Sequence, residues 1–352
     1  MASQRYLVVG AGLAGCLTAW RLQQMGQTVF LIGSTQLPGA SEVAGGIINP
    51  VTGRWMVKSW NFDTCIKHAI ATYHELEKQF NAQLYHALPF IRYCQNDEDV
   101  KRIQRRINNP RYKDVLGAYS TEGPHSNLAD STYGFFNIQK AGYVDLKQLL
   151  HVLRKHFTGQ DLFRDEQFVH SNLTKSNDNW RYHDLTVNHA IFCEGTGARE
   201  NPWFQQLPFT PIKGETLTVE CPTLKLPRTI YHRNKWLLPI ESHLFRIGAT
   251  YNDSSQSQAP SDAGKKELLE ATHQLINANY PLTIKEHTAG LRPCTKDFRP
   301  FIGSHPNQPG LHIINGLGSK GTLLAPEMIR QFLNHLFENV PLEPEIDCKR
   351  YF

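Results

Sequence analysis

Three places in this chain carry residue types that do chemistry. Near the N-terminus, Gly10, Gly12 and Gly15 stand in the spacing GxGxxG. Near the C-terminus, a lone arginine, Arg292, sits in the apolar stretch AGLRP, and a second glycine turn, NGLGSKGTLLAP at 315–326, follows it. The N-terminal spacing is what a nucleotide pyrophosphate needs. Gly10 permits a tight turn, Gly12 lets the backbone approach the phosphates, and Gly15 lets a helix pack closely on a strand. The helix N-terminus adds unpaired N–H groups and a partial positive charge. Arg292 suits a carboxylate, which a guanidinium binds through two parallel hydrogen bonds. The alternative for Arg292 is an ion pair with Asp297 or Glu215.

Glycine spacing alone is weak evidence, so the flanking elements decide its meaning. Residues 6–9 are an apolar run of the buried-strand kind, 13–25 carry a helical pattern that Gly26 stops, and 28–32 read as a second strand. Strand, glycine turn, helix and strand in this order predict a dinucleotide site. One part is missing. A carboxylate ordinarily ends the second strand and binds the ribose hydroxyls; here Gly33 and Ser34 stand in its place. Ser34 or backbone groups are the expected substitutes.

The next segment, PGASEVAGGIINPVTGRW, is rich in small residues, among them Ser41, Ala44, Gly45 and Gly46, which would let a large ring system lie against the backbone. Far downstream, 190–193 reads as another buried strand, ended by Gly195 and Gly197. A chain that leaves a nucleotide-binding sheet and returns after a long insertion fits FAD. An NAD domain would instead close its sheet with consecutive βα units.

On these elements the sequence resembles the glycine/D-amino-acid oxidase family of FAD-dependent oxidoreductases. The matching motifs are GAGLAG at 10–15, with Leu13 and Ala14 inside it, SEVAGG at 41–46, Val169, and CEGTGA at 193–198. PIKGETLTV at 211–219, RIGATY at 246–251, AGLRPCTKDFRPFIG at 289–303 and NGLGSKGTLLAP follow in the family's order and cover nearly the whole chain. The motifs are similar to those of glycine oxidases and of the FAD domain of the bifunctional enzyme that modifies the tRNA wobble uridine; GLGSKG is particularly like the latter.

The resemblance implies non-covalent FAD and an α/β fold, α+β overall. A Rossmann-like FAD-binding unit (1–50, 142–208 and 286–352) would be interleaved with a substrate unit (51–141 and 209–285) built on an antiparallel sheet. Period-two alternation in 213–221, 228–233, 235–240 and 243–251 reads as that sheet. Helical patterns run through 63–80, 144–157 and 325–339, and through 262–280 with Asp262 as cap.

The same resemblance implies the chemistry: oxidation of an amine by hydride transfer to flavin N5, with Arg292 anchoring the substrate carboxylate. The turn holding Gly316, Gly318, Ser319, Lys320, Gly321 and Thr322 would face the flavin edge where negative charge grows. Lys320 would add a charge there or lie on the surface. Tyr231 and Arg233, with His232 and Tyr251, lie on strands expected to roof the substrate pocket, and the loop with Arg54, Trp55, Lys58 and Trp60 is expected at its mouth. No general base is required if the amine binds unprotonated.

Bulk composition narrows the class. The chain has 352 residues, 40% hydrophobic and 20% charged, with net charge +5. No apolar run spans a bilayer and no leader precedes the first strand, so the expected place is the cytoplasm, with no membrane. Seven scattered cysteines without a CxxC pair point to reduced thiols, and neither they nor the sixteen histidines show metal-ligand spacing. The run KRIQRR, with Arg111 and Lys113 after it, is either a solvated helix face or an RNA-contacting patch. The expected partners are a small amine bearing a carboxylate and O2 or another electron acceptor. The alternatives are an oxidase that removes a carboxymethyl group from a modified tRNA uridine, and a flavoprotein without turnover.

Overall fold

The computed structural model describes residues 4–36, 39–123, 128, 132–276 and 280–352. Its first strand, Arg5–Val9, lies between two parallel neighbours, Thr28–Ile32 and His189–Phe192. Phe163–Arg164 extends this sheet on one side, and Leu311–Asn315 and then Phe301–Ser304 extend it on the other. Only the last pairing is antiparallel.

Side chains of the first strand alternate between two cores, as strand geometry requires. Tyr6 and Val8 join the helices Leu13–Gln24, Leu146–Thr158 and Gly321–Glu338. Leu7 and Val9 face Leu173, Trp180, Tyr182 and Val187 of a three-stranded meander. Burial on both faces is why these strands read as continuous apolar runs.

The second sheet has eight strands. In order they are Thr283–Arg292, Ile212–Glu220, Leu244–Gly248, Trp236–Pro239, Ile230–His232, Phe90–Tyr93, Phe135–Ile138 and Leu116–Ser120. All its pairings are antiparallel except one: Ile230–His232 runs parallel to Phe90–Tyr93. That pairing joins chain from the two insertions into one sheet, a long-range link that alternation patterns do not reveal. Thr283–Arg292 pairs with Ile212–Glu220 from end to end, so the boundary expected at residue 286 falls inside a strand.

Two helix starts differ from the sequence expectation. Ser261, not Asp262, caps the helix Asp262–His273, its hydroxyl accepting from Gly264 N. The last helix starts at Gly321, four residues early, and carries Pro326 inside it. Proline lacks the N–H that would bond to the carbonyl four residues back, Thr322. The buried Tyr73 hydroxyl supplies the missing donor at 2.6 Å from Thr322 O. A helix neighbour thus makes a mid-helix proline tolerable.

Among the described residues no helix is long and apolar enough to cross a membrane, and no group of three or more His, Cys, Asp or Glu side chains could hold a metal. All seven cysteines are buried and free.

A buried polar chain crosses the first sheet. His189 Nδ1 meets His312 Nε2 at 2.9 Å, and His312 Nδ1 meets Ser304 Oγ at 2.9 Å. Burial pushes His189 down to about 4 and His312 well below its usual value. Both stay neutral in the fold, whereas an unfolded chain takes up protons through the ordinary histidine range, so stability falls as pH drops below about 6.5. The urea midpoint is expected to fall between pH 7 and pH 5, and His312→Gln is expected to lessen that fall.

Candidate active site

The three chemistry-bearing clusters converge on one cleft of ≈ 890 Å³. Its floor is the turn after the first strand. The backbone there is too crowded for side chains. A Cβ on Gly10 would stand 2.4 Å from Cys193 O, one on Gly15 would stand 1.7 Å from Gly10 O, and one on Gly33 would stand 2.5 Å from Ala11 N. Gly10 also has φ +105°, a conformation that favours glycine. Ser41 Oγ accepts from Leu13 N at 3.1 Å, which brings the small-residue loop onto the first helix turn.

Two arginines from distant elements fix this floor. Arg154 donates Nε and Nη2 to Ala11 O at 3.0 and 2.7 Å, and Nη2 pairs with Glu42 at 2.7 Å. Arg246, from the second sheet, donates to Val43 O at 2.7 Å and Ala44 O at 3.1 Å. Sequence reasoning missed both. Arg154 lies 143 residues from Ala11, and nothing in an amphipathic helix pattern signals such a contact. Arg246 was visible only inside RIGATY.

Gly45 and Gly46 line the cleft under Trp236; a Cβ on Gly45 would lie 2.6 Å from Trp236 Cη2. Gly12, Ala14, Gly33, Ser34, Ala44, Gly195 and Gly197 are also on its wall, as are Gly318, Ser319, Gly321 and Thr322. Asn315 Nδ2 donates to Gly195 O at 2.9 Å and ties the two glycine turns together.

Arg292 ends the strand Thr283–Arg292 and lines the same cleft. Nη1 donates to Lys213 O at 3.1 Å and Nη2 to Thr250 O at 3.0 Å. Among the described residues it has no carboxylate partner. Asp297 pairs with Arg350, and Glu215 with Lys213 and His287. Burial pushes the guanidinium's pKa below its ordinary value, with Cys294 and Tyr251 opposing. Arginine nonetheless stays charged. Two of its five N–H groups are used, so it presents an uncompensated cation to the cleft. Gly214 makes the room, since a Cβ there would lie 2.1 Å from Arg292 Nη2.

Several expected residues are not on the cleft wall. Gly15 and Gly316 serve close packing behind it; a Cβ on Gly316 would meet Thr295 Cγ2 at 2.6 Å. Val169 is 46% exposed, and its N–H donates to the Tyr182 hydroxyl, while its neighbours Phe168 and His170 reach the cleft. Tyr231 is fully buried in the core on the other side of the second sheet, with Leu217 and Ile247. Arg233 donates to Gln274 O at 2.6 Å, away from the cleft. Lys320 is off the wall too; burial and then Arg299 push its pKa down. Of the loop expected at the mouth, Trp60 donates to Glu345, and Trp55 is 56% exposed among arginines.

The profile of one family, DAO, described as FAD dependent oxidoreductase, matches residues 5–330. The chain belongs to the DAO family of FAD-dependent oxidoreductases. It is therefore a flavoenzyme, and the reading of a flavoprotein without turnover gives way to this membership. The DAO fold is shared with a glycine oxidase of Geobacillus kaustophilus, at TM-score 0.81 and 20% identity over 97% of this chain and 96% of that one. Glycine oxidase of Bacillus subtilis is 31% identical over 147 residues, which is 41% of this chain and 39% of that protein. The bifunctional protein MnmC of Marinobacter nauticus, named for tRNA 5-methylaminomethyl-2-thiouridine biosynthesis, is 23% identical over 91% of this chain, which spans 53% of that protein.

The cleft fits FAD. Its floor admits no Cβ at the glycine turn, and two helix N-termini, at Leu13 and Gly321, open onto it. Replacing Arg154 by methionine would free the Ala11 carbonyl and Glu42. FAD affinity is expected to fall roughly ten-fold, the size of one charge-assisted hydrogen bond, read from flavin released on dilution.

Proposed function

We propose that this chain oxidises the C–N bond of a small amine carrying a carboxylate, an amino acid or an N-substituted glycine. One observation carries this: the half-buried Arg292 lines the cleft with backbone carbonyls as its partners and, among the described residues, no acid. A partly buried cation without a counter-ion is costly, and a bound carboxylate would relieve that cost. Lys213 O and Thr250 O fix the guanidinium, so the substrate's Cα is oriented as well as bound. The Tyr251 ring lies 5.7 Å from the guanidinium.

FAD, when bound, supplies the hydride acceptor. Gly321 and Thr322, at the N-terminus of the last helix, present N–H groups and a partial positive charge to the growing negative charge. The substrate loses a hydride from carbon and a proton from nitrogen to become an imine. Water then splits the imine into an oxo acid and ammonia or an amine, and the electron pair passes to O2, giving peroxide, or to another acceptor. In this reading 1–50, 142–208 and 286–352 serve FAD, and 51–141 with 209–285 serve the substrate, with the strand Thr283–Arg292 carrying the anchor between them.

Anaerobic bleaching of the flavin by glycine, sarcosine and D-amino acids tests the substrate class. Arg292→Ala is expected to raise KM and lower kcat together, by about 100-fold in kcat/KM. An Arg292→Ala enzyme that keeps its kcat/KM for the best substrate would refute the assignment.

A second reading, removal of a carboxymethyl group from a tRNA uridine, is favoured by a different observation. Three arginines donate to consecutive carbonyls of one loop: Arg92 to Gly53 at 2.9 Å, Arg102 to Arg54 at 3.1 Å and Arg106 to Trp55 at 3.1 Å. They present Trp55, with Arg54 and Arg102 at 4.8 and 4.9 Å from its ring, beside the exposed Lys101, Arg105 and Arg111. A fixed aromatic in a cationic surround suits RNA, and the MnmC likeness points the same way. On this reading tRNA binding weakens steeply with salt, and Lys101→Glu with Arg105→Glu abolishes it without altering oxidation of free amino acids. Salt-independent or absent tRNA binding would leave the small-amine reading alone.

A further inference from the structure

The strand-end carboxylate that ordinarily binds the ribose of a dinucleotide is missing from this sequence, and the structure gives the reason. Gly33 occupies that position, and a Cβ there would lie 2.5 Å from Ala11 N and 2.8 Å from Ala11 Cβ. No residue with a side chain fits, so no acid can stand there. Ser34 lines the cleft, and its hydroxyl, which accepts from Gln36 N at 3.2 Å, brings no charge to replace the acid.

Four acids lie near enough to weigh. Asp165 sits beside the strand end, but Thr35 N and Thr35 Oγ1 take its two oxygens, and it is not on the cleft wall. Glu42 is held by Arg154 and by Gly39 N, at the small-residue loop. Glu200 lines the cleft but is exposed. Glu194 differs. It follows the strand His189–Phe192, so it arrives from the other side of the first strand. Its backbone N would be 3.2 Å from a Cβ on Gly10, which puts it against the glycine turn.

The Glu194 side chain is 9% exposed and lines the cleft. His170 Nε2 lies 2.7 Å from Oε1, and Asn201 Nδ2 donates to Oε2 at 2.8 Å. Asn201 is itself fully buried, and its Oδ1 accepts from Trp203 N, so the carboxylate is anchored from behind. An ionised carboxylate has about four acceptor sites. Two are used, and the carboxylate shares the cleft wall with Gly33, Ser34, Phe168 and His170.

We propose that Glu194, held by His170 and Asn201, accepts the ribose hydroxyls of the adenosine half of FAD in place of the absent strand-end acid. The ligand class is a ribonucleoside diphosphate with a free 2′,3′-diol. The carboxylate stands two strands across the sheet, at the end of His189–Phe192 rather than of Thr28–Ile32, because the backbone left no room at its usual position.

The test uses holoenzyme and reads FAD displaced into solution by its fluorescence. ADP, 2′,3′-dideoxy-ADP and inosine diphosphate are the competitors. ADP is expected to displace FAD at a concentration at least ten-fold below that of the dideoxy compound, the size of a hydrogen bond to a charged group. Glu194→Gln is expected to erase that preference, to loosen FAD, and to leave the ratio of ADP to inosine diphosphate unchanged. Glu194→Asp, which keeps the charge and shortens the reach, serves if Glu194→Gln does not fold. Equal displacement by ADP and the dideoxy compound in the wild type overturns the proposal. So does a variant that keeps the preference, or one that alters the inosine ratio instead, which would assign Glu194 to the adenine.

Discussion

The structure depends on the approach of three strand ends to one another at the first glycine turn. Gly10 lies against Cys193 O, Gly15 against Gly10 O and Gly33 against Ala11 N, each too close for a Cβ. This contact is backbone on backbone. It lets Arg5–Val9 pair on both sides at once, and it leaves a floor of peptide groups on which phosphates can rest. The same crowding has a consequence for the ligand: side chains that would contact it must reach in from elsewhere. Arg154 from a helix, Ser41 from the short helix Ala40–Val43 and Glu194 from a neighbouring strand end line the cleft.

At Arg292 the constraint is electrostatic. Arg292 is half buried and, among the described residues, its hydrogen-bond partners are carbonyls, whereas Glu215 and Asp297 have cations of their own. Lys213 illustrates the division. Its carbonyl accepts from Arg292, and its amino group pairs with Glu215 at 3.0 Å. Glu215 also receives Ser261 and His287, so it is fully occupied. The local network satisfies itself and leaves one positive charge facing the cleft.

The two sheets divide the labour. The parallel sheet is buried on both faces and holds the glycine turns at its strand ends. The eight-stranded sheet contributes Arg292 and Trp236 to the cleft wall, and its Arg246 holds the Val43 and Ala44 carbonyls. The parallel pairing of Ile230–His232 with Phe90–Tyr93 makes that second sheet continuous, although its strands come from two insertions.

The sequence by itself determined the glycine turn, the second strand, the return of the chain to the first sheet and the prominence of Arg292. These are local: spacing, period-two alternation and the low side-chain volume of glycine express them within a few residues. It also carried the absence of an acid at Gly33. Only the tertiary structure decided what surrounds these features. Arg292 faces Lys213 O rather than Asp297, Tyr231 turns into the core rather than the cleft, Pro326 is tolerated because Tyr73 reaches Thr322, and Glu194 meets His170 beside the glycine turn. Each of these is a contact between residues with no sequence relation to one another. Which face of a strand looks into a cleft, and which carboxylate already has a cation, follow from packing and from competition for partners, and neither leaves a pattern in the chain.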